Sequence, residues 1–163
     1  MRHDRQHHRP CSPAQRRRGQ KGGGDEAIGR SRGGLSTKIH ATVDALGNPT
    51  GFALSPGQAH DLDGADVLPP ALAADTLIAA KAFDAEERVL EPLARAGKTA
   101  VIPPEANRKN PRPYDKDLDK ARHLIENFFA KLKQFRAIAT RYDKRATHFL
   151  AAVHLASSVI WLN

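Results

Sequence analysis

Hydrophobic and polar positions alternate over residues 36–43 (Ser-Thr-Lys-Ile-His-Ala-Thr-Val), the period of a half-buried strand. Asp44-Ala45-Leu46-Gly47-Asn48 then supplies turn residues, and residues 50–55 return as a second strand, so a hairpin is predicted. Pro56-Gly57 ends it, and Asp61 or Asp63 is placed to cap a short helix running to about Leu68. An apolar strand follows at 75–80, then a helix at about 84–96 with Asp84 as its N-cap. Residues 98–102 form a further strand, stopped by Pro103-Pro104. A polar loop over 105–114 leads to a long helix from about 116 to 136 and an apolar helix from about 146 to 162. Strands followed by alternating helix and strand predict an α/β domain with a mixed sheet. Residues 1–34 have no hydrophobic period and are expected to be disordered.

Within the long helix, Leu118, Ala121, Ile125, Phe128, Leu132 and Phe135 recur at intervals of three and four, an apolar stripe for the core. Arg122, Glu126 and Lys133 fall within about 40° of one another beside that stripe. Spacing alone favours an ordinary solvated Arg–Glu pair on an exposed face, worth a few tenths of a kcal/mol. The apolar helix is shorter than the roughly 20 residues of a membrane span, and His154 interrupts it, so a buried core helix is the better reading.

Charge is unevenly placed. The chain has 26 Lys plus Arg against 18 Asp plus Glu, a net +8, which invites a nucleic-acid reading. Residues 1–21 carry +6, residues 22–107 carry −5 and residues 108–163 carry +7, so the basic surface of a folded domain belongs near the C-terminus. Its length of 163 residues suits a single domain. The single cysteine, Cys11, excludes an intramolecular disulfide and fits a reducing cytoplasm; no apolar signal segment is visible in the first twenty residues.

Several stretches together carry a resemblance. They are Gly33-Gly34-Leu35-Ser36-Thr37-Lys38-Ile39-His40, Pro56-Gly57-Gln58-Ala59-His60-Asp61, Val101-Ile102-Pro103-Pro104, and residues 122–136 continuing through Tyr142-Asp143-Lys144. Over about 130 residues the chain resembles the catalytic domain of bacterial insertion-sequence DDE transposases of the insertion sequence four/five superfamily. The resemblance implies a ribonuclease-H-like fold in which two aspartates and a glutamate hold Mg²⁺ or Mn²⁺ for attack on a DNA phosphate. It also implies transposon-end DNA as partner.

The family's C-terminal signature is a tyrosine, an arginine three on, a glutamate four on and a lysine seven on. Arg122, Glu126 and Lys133 fill three positions, and Asp119 stands at the fourth. Glu126 matches the third carboxylate, the catalytic and metal-binding glutamate. Ala80, in Ala79-Ala80-Lys81-Ala82-Phe83, stands where the second aspartate is expected. Alanine has no donor atom for a metal, and the loss of a ligand predicts an inactive chain with no productively bound ion. Arg122, Lys131, Lys133, Arg136, Arg141 and Lys144 are candidates for DNA phosphate contacts.

The first aspartate belongs to an Asp-Ser-Thr context followed by Val-Arg-Ala-His-Gln-His, absent from residues 1–24. Codons for Arg5 through Gly22 read one nucleotide forward permit such a segment, so residues 1 to about 21 are expected to be an out-of-frame reading of it. That demotes His3, His7, His8 and Cys11 as a metal site, Arg16-Arg17-Arg18 as a DNA-binding arm and Gly22-Gly23-Gly24 as a phosphate loop. The expected sheet is therefore partial, lacking its first strand, with residues 35–163 as a truncated catalytic domain. Three readings stay open: a decayed fragment, a downstream frame joined to an upstream one by a −1 slip near Gln20-Lys21, and a non-catalytic DNA-binding module that pairs with an intact transposase subunit.

Overall fold

The computed structural model describes residues 2–3, 7–10, 26–68, 73–106, 108 and 112–162. Among these, seven strands share one mixed sheet: β1 (Arg2–His3), β2 (His7–Pro10), β3 (Gly29–Ser31), β4 (Gly34–Val43), β5 (Pro49–Pro56), β6 (Thr76–Ala79) and β7 (Thr99–Val101). β4 pairs with β5 and β3 along one side and with β2 and β1 along the other, all antiparallel. β1 lies between β4 and β6, parallel to β6, and β6 is parallel to β7. The α/β class expected from the pattern is the class observed.

β4 organises the core because both of its faces are covered: every residue from Ser36 to Val43 is buried. Ile39, Ala41 and Val43 pack with Ile125, Phe128, Phe129 and Leu132 of one helix and Phe149, Val153 and Ala156 of another. The alternate positions are polar and find partners on the other face, as the period of two requires. Lys38 Nζ donates to the Ala59 carbonyl and to Asp61 Oδ1 at 2.9 Å, His40 Nε2 meets Ser55 Oγ at 2.8 Å, and Thr42 meets Thr50 at 2.8 Å. Gly64 is what allows His40 this seat, since a Cβ there would lie 2.3 Å from its Nδ1. The predicted turn is held by Asp44, whose carboxylate accepts from the Leu46 and Asn48 amides at 2.8 and 2.9 Å, with Gly47 at φ +89°.

The N-terminal expectation needs correcting. The central position between β4 and β6 is not vacant: Arg2–His3 pair there, with Arg2 opposite Val43 and Ile78. Two unpaired sheet edges cost hydrogen bonds, and even a two-residue polar segment satisfies some of them. Gly29–Ser31 likewise belong to the sheet, folded back on Gly34–Ser36. Cys11, Arg16-Arg17-Arg18 and Gly22-Gly23-Gly24 lie outside the described residues.

The helical elements are shorter than predicted. α1 (Glu91–Arg95) follows a 3-10 turn at Lys81–Phe83 and a π turn at Glu86–Leu90, and it ends before Gly97 at φ +68°. The predicted helix over 116–136 is three pieces, α2 (Lys116–Lys120), α3 (His123–Leu132) and α4 (Arg136–Ala139). Asp115 caps the first through the Asp117 and Leu118 amides. Between α2 and α3 the chain tightens to i→i+3 bonds, Arg122 N to Asp119 O and Leu124 N to Ala121 O. This rotates the stripe, so Leu118 is exposed while Phe129 is buried. The 3-10 turn at Asp61–Gly64 is capped by His60 Nδ1, not by Asp61 or Asp63. α5 (Ala146–Leu162) buries Phe149, Val153 and Ala156 but leaves Leu155, Trp161 and Leu162 exposed, so it is half a core helix. Among the described residues no helix is long and apolar enough to cross a membrane.

Candidate active-site region

Position 80 closes β6, in the residue after Ala79 and before the 3-10 turn that its carbonyl anchors through the Phe83 amide at 2.9 Å. Ala80 is buried in a second apolar cluster with Leu77, Phe83, Val89, Leu90, Leu93 and Ile102. The strand end is central in the sheet, next to β1. Its side chain is a methyl group, which has no donor atom for a metal.

Glu126 sits in the first turn of α3, on the solvent side, while its neighbours Ile125, Phe128 and Phe129 anchor the helix to β4. Arg122 precedes the helix, half-buried, with Nη1 3.9 Å from Asp119 Oδ1 and a buried Nε that finds no hydrogen-bond acceptor among the described residues. Lys131 and Lys133 are exposed at the other end of α3, and Arg136 is exposed at the start of α4. Lys144 is exposed, its Nζ 3.9 Å from Glu26. One helix and its flanks thus carry Arg122, Glu126, Lys131, Lys133 and Arg136. Glu126 and Ala80 belong to elements packed in different apolar clusters. Among the described residues, no three His, Cys, Asp or Glu converge as a metal site.

Arg141 does not join that surface. It is fully buried, and all five of its N–H groups are satisfied: Nε by the Asp143 carbonyl at 2.8 Å, Nη1 by Ala27 O and Thr37 Oγ1, and Nη2 by the Glu26 and Lys144 carbonyls at 2.7 and 3.0 Å. Its guanidinium also lies over the Phe149 ring, 4.7 Å from the centroid. An arginine with its donors used up inside the protein has none left for a DNA phosphate, so the phosphate-contact expectation for Arg141 is corrected to a structural role.

Asp84 is likewise not the predicted cap. Its side chain is 2 % exposed and accepts from the Glu105 amide at 2.9 Å and from the guanidinium groups of Arg108 and Arg112. Burial pushes this carboxyl up, but the Glu105 N–H and Arg108 outweigh burial and hold it below the usual carboxylate value. The two arginines also reach Glu86, so Glu105, Arg108 and Arg112 are clasped to the chain just past β6. On the other side of β4, burial keeps His40 below its ordinary value, against the opposing charge of Asp61. Neither the clasp nor the Arg141 site was found from spacing, since their partners are distant in the chain or are main-chain carbonyls.

The family described as Transposase DDE domain matches residues 3–161. The chain belongs to that family. A protein of Brucella ovis assigned as a transposase for insertion sequence element IS6501 is 39 % identical over 129 residues, covering 78 % of this chain and 99 % of that relative. No solved structure matches this transposase domain. The insertion-sequence resemblance seen in the motifs is therefore the right one.

Proposed function

We propose that this is an insertion-sequence transposase domain that no longer cuts or joins DNA. The observation that carries the reading is Ala80, buried among apolar side chains at the end of β6. The strand order β5-β4-β1-β6-β7, with β6 and β7 parallel to β1, supports a ribonuclease-H-like frame. In that frame the ends of the two parallel central strands are where carboxylates would hold Mg²⁺ or Mn²⁺. Residues 1 to about 21 are read as out of frame, which removes the first carboxylate; Ala80 removes the second. Glu126 alone does not make an ion site. The donor set does not fit the family's metal, and no catalytic step is assigned to it.

The test is strand cleavage and transfer on labelled oligonucleotides bearing the element's terminal repeats, with Mg²⁺ or Mn²⁺. The chain is expected to be inert, and A80D alone is expected to remain inert. A restored-frame chain carrying A80D is the form expected to cut. Metal-dependent cleavage by the unmodified chain, abolished by E126Q, would sink the proposal.

A second reading is favoured by the exposed Lys131, Lys133 and Arg136. We infer that this face contacts DNA phosphates without chemistry, in the cytoplasm, alone or beside an intact transposase subunit. Binding should weaken with salt at a slope of about −0.9 per phosphate contacted, and K133E/R136E should reduce it. No retention of labelled DNA at low salt would exclude this role.

A further inference from the structure

The last helix, α5, carries two apolar faces, and the fold uses one of them. On the inner face Phe149, Val153, Ala156 and Ile160, spaced four, three and four apart, pack into the core shared with β4 and α3. On the outer face Ala151, Leu155, Ser158 and Leu162 repeat that spacing, offset by two residues and so about 160° round the helix. All four are exposed, Leu155 by 70 % and Leu162 by 83 %. Alternating steps of three and four are the interval at which one helix packs along another.

The outer face is also free of charge. None of the 17 residues from Ala146 to Leu162 is Asp, Glu, Lys or Arg, in a chain of net charge +8. A nucleic acid finds no cation there for its phosphates, and a charged protein partner finds no opposite charge. A helix that lies on a membrane surface keeps Lys or Arg on its polar side, and this one has none. Ser158 is the polar member of the four, but its hydroxyl already donates to the His154 carbonyl at 3.0 Å, one turn back. Covering it therefore leaves no donor without an acceptor.

Size then selects the partner. Small and large residues alternate along the face, in the order Ala151, Leu155, Ser158, Leu162. An identical helix laid antiparallel, about a two-fold axis between positions 156 and 157, sets Ala151 opposite Leu162 and Leu155 opposite Ser158. Each pair occurs twice, and every leucine meets a small residue, so the two helices approach closely. A parallel pairing sets leucine on leucine instead. The face is complementary to itself and has no charge with which to repel its copy.

We propose that the outer face of α5 is a self-association surface, on which two copies of this chain pair antiparallel as a symmetric dimer. The helix is about 25 Å long, so the contact lies at the low end of specific interfaces, about 1,000 Å² in total, and a Kd of about 10 μM is expected. Pairing depends on this helix alone, and not on whether the chain cuts or binds DNA.

Sedimentation equilibrium of the full chain tests this between about 1 and 200 μM, in about 0.3 M salt to screen the net positive charge. A reversible monomer–dimer equilibrium is expected. L155K buries a charge at two places in the pair and should weaken association at least about tenfold. S158L should weaken it by a similar factor, because it sets leucine against the partner's Leu155, and L155A/S158L should restore it by exchanging the large and small positions. Both positions are exposed, so dilute, monomeric variants should keep the parent's thermal midpoint. A parent chain that stays monomeric at about 200 μM would overturn the proposal. A dimer that L155K leaves intact would also overturn it, since the contact would then lie elsewhere. Association strengthened by S158L would overturn the antiparallel register in favour of parallel helices.

Discussion

Arg141 and Asp84 are both buried charges, and the protein neutralises them in opposite ways. Among the described residues Arg141 donates to four main-chain carbonyls and one hydroxyl. Asp84 meets two arginines whose side chains are 20 % and 40 % exposed, plus one amide. Carbonyls fixed by the backbone cannot rotate away, so Arg141 ties residues 26–27 to residues 143–144 rigidly. Arginine side chains that reach solvent can exchange partners, so the Asp84 clasp should yield to salt, acid or a competing anion. The first contact holds the fold where the chain enters β4; the second holds the segment that follows β7.

The comparison breaks most readily at Arg141. Replacing it with methionine leaves the buried Thr37 hydroxyl and the Glu26 and Ala27 carbonyls short of donors, a loss of about 3–5 kcal/mol in urea unfolding. R141K keeps the charge but presents fewer donors in the wrong geometry, and should lose about 2 kcal/mol. Both losses should be nearly independent of salt. A salt-dependent loss would mean that Arg141 works by long-range charge and not by its hydrogen bonds.

At Asp84 the expected loss is smaller, about 2 kcal/mol for D84N, since the released arginines can turn to water. The carboxyl titrates below its ordinary 3.8 in the folded chain. Its stabilising contribution is therefore complete above that value and disappears as pH falls through the lower, folded one. Unfolding midpoints measured across pH should show this acid loss in the parent chain and not in D84N. His40 acts in a separate window. With its folded value lowered from 6.5, the unfolded chain takes up a proton first, so stability should begin to fall as pH drops below 6.5. H40Q, which retains a donor for Ser55, should flatten that part of the curve. If both windows vanish with D84N alone, His40 is not the titrating group.

How far these features could be read in advance depended on the range of their causes. The β4–β5 hairpin was legible because strict alternation from Ser36 to Val43 and the Asp44–Gly47 turn are local signals. The helix over 116–136 was over-extended because the tightening at Ala121–Arg122 is a backbone adjustment with no proline or glycine to announce it. Glu126 and Ala80 were placed by motif, and the structure adds that they stand on separately packed elements. Arg141 was misread because its sequence neighbours Lys144 and Arg145 suggest a basic surface. Its actual partners include the Glu26 carbonyl 115 residues away, and a main-chain carbonyl carries no mark in the sequence. Asp84 looked like a cap for the same reason: helix residues follow it closely, whereas Arg108 and Arg112 lie 24 and 28 residues on.

The smallest expected effect gives the sharpest test of the Arg141 tie. Ala27 has φ +44°, a left-handed conformation that costs a residue with a Cβ about 1 kcal/mol relative to glycine. Its carbonyl accepts from Thr37 Oγ1 at 2.6 Å and from Arg141 Nη1 at 3.3 Å, so these two side chains hold the strained residue in place. A27G should relieve that strain, while the added freedom of the unfolded chain cancels about half of the gain. The net change should be a stabilisation of about 0.5 kcal/mol. In R141M the carbonyl is no longer pulled toward position 141 and the backbone can relax, so A27G should gain nothing there. A double-mutant cycle reads this coupling directly. Equal gains in both backgrounds would mean that Ala27 keeps its conformation without Arg141.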